Sequence, residues 1–103
     1  MNKLKDKATE VFAGLQKQFV CQYDKSGSIG RRYARADEMG VPLCITVDFE
    51  TLDDHAVTVR DRDSTKQIRV PLSALSAVIA QFFTGAPLLS LGKEVTVQIS
   101  KDE

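Results

Sequence analysis

The chain has 103 residues, 43% hydrophobic and 27% charged, and its 14 Lys/Arg balance 14 Asp/Glu to a formal net charge of zero. That length holds one domain with a single modest core, residues 1–103, and the balance of charge excludes a globally basic nucleic-acid binder. No apolar run approaches the ~18 residues that a bilayer requires and Met1 opens no signal-peptide pattern, so no membrane partner is expected.

Leu4, Ala8, Val11, Phe12, Leu15 and Phe19 recur at helical spacing and mark the apolar face of a first helix, with Lys3, Lys5, Asp6, Lys7, Glu10 and Lys17 mostly opposite. Phe19 to Tyr23 reads as a short strand and Asp24 to Gly27 as a loop. Ser28 is suited to N-cap a second helix in which Arg31, Arg32 and Arg35 gather on one side. Ile29, Tyr33 and Ala36 supply its apolar contacts, Gly40 ends it in a left-handed conformation, and Pro42 prevents its continuation. Leu43 to Phe49 alternates as a strand. Asp53-Asp54-His55 then reads as a hairpin turn, after which Val57 and Val59 alternate with Thr58, Arg60 and Arg62. Asp63-Ser64-Thr65 turns the chain into Ile68, Val70 and Leu72. Ser73 caps a last helix carrying Leu75, Val78, Ile79, Phe82 and Phe83 and ending at Gly85, and one more strand runs from Val95 to Ile99, within about 94–100. The order predicts an α/β layered domain, a mixed sheet flanked by about three helices.

No catalytic residue, metal site or cofactor is expected. His55 stands alone in a polar turn, and Cys21 and Cys44 lack metal-ligand or CxxC spacing. The two cysteines read as small buried thiols of a reducing, cytoplasmic compartment. The loop from Gly27 to Gly30 is either a capped turn or a phosphate cradle, and it lacks the spacing of both nucleotide-binding glycine motifs.

Arginine placement is more informative. Every arginine lies between Arg31 and Arg69, a local basic surface on a neutral protein. Arg60 and Arg62 share a strand face with Thr58, and Arg69, opposite in direction to Ile68 and Val70, is expected on that same polar face. Guanidinium groups there either stack on and fork to a single-stranded RNA loop or form surface ion pairs with Asp61, Asp63 or Glu50. Tyr33 is either core or a stacking partner.

Several strings occur in a fixed order: Ser28-Ile29-Gly30-Arg31-Arg32-Tyr33, Asp37-Glu38-x-Gly40-x-Pro42, Thr46-Val47-Asp48-Phe49-x-Thr51-Leu52, Val57-Thr58-Val59-Arg60-x-Arg62-Asp63 and Gln67-x-Arg69. Over about residues 21–79 they resemble the C-terminal anticodon-binding domain of glycyl-tRNA synthetase, a class II aminoacyl-tRNA synthetase. The resemblance implies a tRNA partner, bound at the anticodon arm of glycine tRNA, and no catalysis in this chain. Arg31, Arg32 and Arg35 are better assigned to backbone phosphates, which position an RNA without reading its sequence. Glycine anticodons, as the family implies, share two cytosines. The amine and ring acceptors of cytosine suit a carboxylate beside an arginine, partners that the Arg60-Asp61-Arg62-Asp63 string and Gln67 contain, while Thr58 and Arg69 complete the expected RNA-binding face. Family members carry another strand before the first helix. Its absence here predicts a gap in the sheet, filled either by Val95 to Ile99 running parallel or by exchange within a homodimer. A second reading is an accessory, protein-interaction module of the same fold that dimerises and binds nucleic acid nonspecifically.

Overall fold

The computed structural model describes residues 3–21, 23 and 29–95, centred on a four-stranded sheet. Strands β1 (Leu43–Thr46), β2 (Ala56–Asp61), β3 (Gln67–Pro71) and β4 (Lys93–Glu94) lie in that order. Around them run helices α1 (Lys3–Gln16), α2 (Ile29–Met39), α3 (Phe49–Asp54) and α4 (Leu75–Phe83), with 3₁₀ turns at Leu72–Ala74 and Leu88–Ser90. The α/β layering is the predicted one. The mixed sheet is not reproduced among the described strands, since every pairing is antiparallel.

The strand alternation separates two faces. Val59 pairs with Ile68 and Val57 with Val70, and these four are 0–1% exposed, packed with Leu15, Leu75, Val78, Ile79 and Leu88 from the helical layer. Each fully buried aliphatic side chain contributes about 1.5–3 kcal/mol, so this side holds the core. The other face carries Thr46, Thr58, Arg60, Gln67 and Arg69, in the register Thr46–Thr58–Arg69 and Cys44–Arg60–Gln67. Tyr33 of α2 covers part of it, donating or accepting a 2.7 Å hydrogen bond with Thr46.

The structure redraws several predicted elements. The strand at Phe19 to Tyr23 is not formed among the described residues; Phe19 N–H instead turns back onto the Leu15 carbonyl at 2.8 Å, extending the end of α1. The strand from Leu43 stops at Thr46, because Asp48 starts a helix rather than continuing the alternation. Its carboxylate accepts from Thr51 N–H at 3.1 Å while Thr51 Oγ1 accepts from Asp48 N–H, a capping box. The hairpin predicted at Asp53-Asp54-His55 is therefore the end of α3, with His55 as a left-handed C-cap at φ 55°. Ser73 does not cap α4; it sits inside the 3₁₀ turn, and α4 begins after Ala74 without a side-chain cap. Gly40 does end α2 in the left-handed region, at φ 78°, with Val41 N–H on the Ala36 carbonyl.

The last strand begins at Lys93 and runs antiparallel to β3, at the edge of the sheet away from β1. The parallel return into the gap is thus corrected for its described part, which ends with Val95 N–H on the Gln67 carbonyl. A short 3₁₀ turn at Leu88–Ser90 reverses the chain too soon for a crossover. The rest of the strand predicted to Ile99, and the Ser28 cap, lie outside the described residues.

Candidate nucleic-acid interface

The polar sheet face gathers much of the predicted set. Hydrogen bonding of Arg62 N–H to the Pro42 carbonyl fixes β2 against the segment that leaves α2. That contact brings Arg60, Arg62, Asp63 and Gln67 to one end of the face, next to Tyr33.

Arg60 is only 8% exposed, and its guanidinium lies 4.7 Å from the centroid of the Tyr33 ring. A cation over an aromatic face is held electrostatically and keeps its planar edge oriented. Burial of Tyr33 pushes its phenol above the usual range, against smaller lowering effects from Thr46 and Arg60, so the ring meets Arg60 as the neutral phenol. Gln67, the cross-strand partner of Arg60, is 7% exposed, and its Oε1 has no hydrogen-bond partner among the described residues. A buried acceptor without a donor is costly and marks a place where an N–H group would be stabilising. Arg62 makes the predicted surface ion pair, Nε to Asp63 Oδ1 at 3.1 Å.

Arg69 does reach the polar face but is occupied within the protein. Its Nη1 donates to Asp48 Oδ2 at 3.0 Å and to Thr58 Oγ1 at 3.1 Å, and its Nη2 donates to Asp54 Oδ1 at 3.1 Å. Burial acts to lower the Arg69 pKa, but the bonds to Asp48 and Asp54 outweigh it and raise the value, while Arg69 holds the Asp54 carboxyl below the usual carboxylate range. Thr58, 4% exposed, serves as an internal acceptor in the same cluster. Two of the predicted residues thus fasten α3 to the sheet.

On α2 the three arginines diverge. Arg31 is exposed, whereas Arg32 and Arg35 are half-buried along a cleft between α2 and α1. The residue that sequence reasoning missed is Phe49, assigned to a buried strand position and found 74% exposed on the first turn of α3. The signal was available: Asp48 three residues before Thr51 is a helix-start pattern, and a helix start takes Phe49 out of the strand alternation. Among the described residues no group of His, Cys, Asp or Glu could hold a metal ion, and no helix is long and apolar enough to cross a membrane.

The family described as anticodon binding domain matches residues 1–82. The chain belongs to the anticodon-binding domain family. It is 54% identical over 77 residues to a glycine–tRNA ligase of Bacillus cereus, covering 75% of this chain and 17% of that protein. A glycine–tRNA ligase of Malacoplasma penetrans is 61% identical over 71 residues, covering 69% of this chain and 15% of the relative. This anticodon-binding domain therefore spans about a sixth of the length of the curated relatives it matches. Its fold is shared with a histidyl-tRNA synthetase from Nostoc sp. PCC 7120, at a TM-score of 0.69 and 19% identity over 81% of this chain and 20% of that one.

Proposed function

We propose that this domain binds the anticodon arm of glycine tRNA in the cytoplasm and contributes recognition rather than catalysis. The observation that carries the reading is the pairing of an aromatic-held cation with an unanswered buried acceptor, Arg60 over Tyr33 beside Gln67, in a chain whose relatives are glycine–tRNA ligases. An unpaired cytosine offers an amine donor beside ring acceptors, matching an amide or carboxylate oxygen next to a guanidinium. Gln67 Oε1 or Asp63 supplies the acceptor, and Arg60 or Arg62 the donor. Exposed Phe49 offers a stacking surface for a splayed base, and exposed Arg31, with Arg32 and Arg35, meets backbone phosphates. Arg69 and Thr58 act at one remove, by holding α3 and hence Phe49 in place.

Fluorescence anisotropy with a glycine-tRNA anticodon stem-loop, against the same stem-loop with both cytosines replaced, tests the reading. Binding should favour the glycine sequence. Arg60→Met should reduce that preference by roughly 1–3 kcal/mol, and Arg31→Ala should weaken both RNAs alike and flatten the salt dependence. Equal affinity of the unsubstituted domain for the two stem-loops would refute sequence readout.

A further inference from the structure

The family match ends at residue 82, and the chain continues through a 3₁₀ turn into β4. This continuation is built onto the sheet. Leu88 is 4% exposed within the core cluster and Leu91 packs against the same cluster, so burial anchors the 3₁₀ turn at both ends. Gly92 then approaches β3 closely. A Cβ there would stand 3.1 Å from Ile68 Cδ1 and 3.2 Å from the Arg69 carbonyl oxygen, so glycine lets the chain run this near without displacing β3. Lys93 pairs with Arg69 and Glu94 with Ile68, and Val95 N–H closes on the Gln67 carbonyl at 3.0 Å. Side chains directly opposite one another across an antiparallel pair stand on the same face. Lys93 therefore joins Arg69 and Thr58 on the polar face, while Glu94 stands with Ile68 on the other, and both are exposed. Arg69 is taken up by Asp48, Asp54 and Thr58, whereas among the described residues no side chain holds the ammonium of Lys93.

We propose that Lys93 is a further RNA contact, taking a backbone phosphate of the arm bound across the polar face. This role rests on the RNA reading of that face and adds to it a residue beyond the family match. It follows from the surroundings of the side chain. A strand anchored on both sides holds the backbone of Lys93 in place, so binding has only the side chain left to order. An ammonium is a compact point charge that suits a phosphate and lacks the planar fork with which a guanidinium meets a base edge. Lys93 therefore adds affinity without sequence preference. Arg69, its cross-strand neighbour, is spent on two aspartates and has its side chain only 16% exposed, so the cation that this side of the face offers to solvent is the lysine.

The test measures binding of the glycine-tRNA anticodon stem-loop and of its cytosine-replaced counterpart across a salt series, using Lys93→Met, Lys93→Arg and Glu94→Gln in the full 103-residue chain. Lys93→Met should weaken both RNAs alike, by about five- to eightfold at about 0.1 M salt. It should also reduce the slope of log affinity against log salt by about 0.7–0.9, the share of one phosphate contact. Its urea midpoint and the ratio of the two affinities should match those of the parent. Lys93→Arg keeps the charge and should keep the slope. Glu94→Gln, one residue away on the other face, should leave the slope at its parent value. An unchanged slope in Lys93→Met would overturn the proposal, and so would an equal and opposite change in Glu94→Gln, the mark of a general effect of net charge. A lower urea midpoint with an unchanged slope would make Lys93 a counter-charge to Asp48 and Asp54 instead. Weakening confined to one stem-loop would make it a base reader, which also overturns a phosphate contact. Equal affinity of the unsubstituted domain for the two stem-loops refutes sequence readout but leaves the slopes measurable, so the two failures are distinct; absence of any RNA binding overturns both.

Discussion

Replacing Arg69 by Met tests the cluster that fastens α3 to the sheet. Met keeps most of the apolar stem and removes every donor. The guanidinium side chain is 16% exposed, while its partners Asp48 and Asp54 are 40% and 45% exposed. Carboxylates this open to solvent are screened, so the Asp48 pair contributes about 0.5–1 kcal/mol, well short of the 3–5 kcal/mol lost when a buried pair is broken, and the more open Asp54 adds little to it. The bond to Thr58, which is 4% exposed, adds about 1 kcal/mol because its hydroxyl then loses a donor in a dry site. The sum of the Asp48 and Thr58 contributions is about 1.5–2 kcal/mol. With no tryptophan in the chain, urea unfolding is best followed by far-UV circular dichroism. The midpoint should fall by roughly 1 M at a slope near 2 kcal/mol/M. Asp48→Asn preserves an N-cap oxygen for Thr51, so Arg69→Met measured in that background isolates the coupling. A loss below about 0.5 kcal/mol, or an equal loss in the two backgrounds, would refute the reasoning.

Tyr33→Phe removes the 2.7 Å bond to Thr46 while leaving the ring beneath Arg60; stability should fall by about 1 kcal/mol in urea unfolding, and an unchanged midpoint would show that the hydroxyl is solvated instead. Asp54 titrates below its unfolded value because Arg69 donates to it, so its contribution is complete above the usual carboxylate range and is lost as pH falls through the folded value. Thermal melts of Asp54→Asn should therefore lie below those of the parent at about pH 7, and the gap should shrink steadily as pH falls below the usual carboxylate range, whereas a gap that does not change with pH would place the effect elsewhere. Gly40→Ala forces a side chain into φ 78° and brings its Cβ to 3.4 Å from Arg62 Nη1; a cost of about 1–2 kcal/mol is expected, and a neutral result would mean that the end of α2 relaxes freely.

The sequence by itself determined the elements whose signals are local. Val57, Val59, Ile68 and Val70 alternate with polar neighbours, and a period of two places them on one face whatever surrounds them. Gly40 before Pro42 stops a helix through backbone sterics alone, and the apolar spacing of α1 and α4 marks their buried sides. Ordered strings such as Ser28 to Tyr33 and Val57 to Asp63 carried the family, since such strings specify a backbone path and a surface together.

Tertiary structure decided what depends on partners distant in sequence. Asp48 to Leu52 reads equally as the end of a strand or the start of a helix, and the choice falls to a carboxylate that both caps Thr51 and meets Arg69, 21 residues further on. The same choice turns Phe49 outward. Arg60, Arg62 and Arg69 are alike in a string of letters, yet one lies over Tyr33, one pairs with Asp63 at the surface and one is held by two aspartates. Such roles are fixed by pairing register and by which helix covers which face. Those are set by the closure of long loops and by burial, which no local pattern encodes.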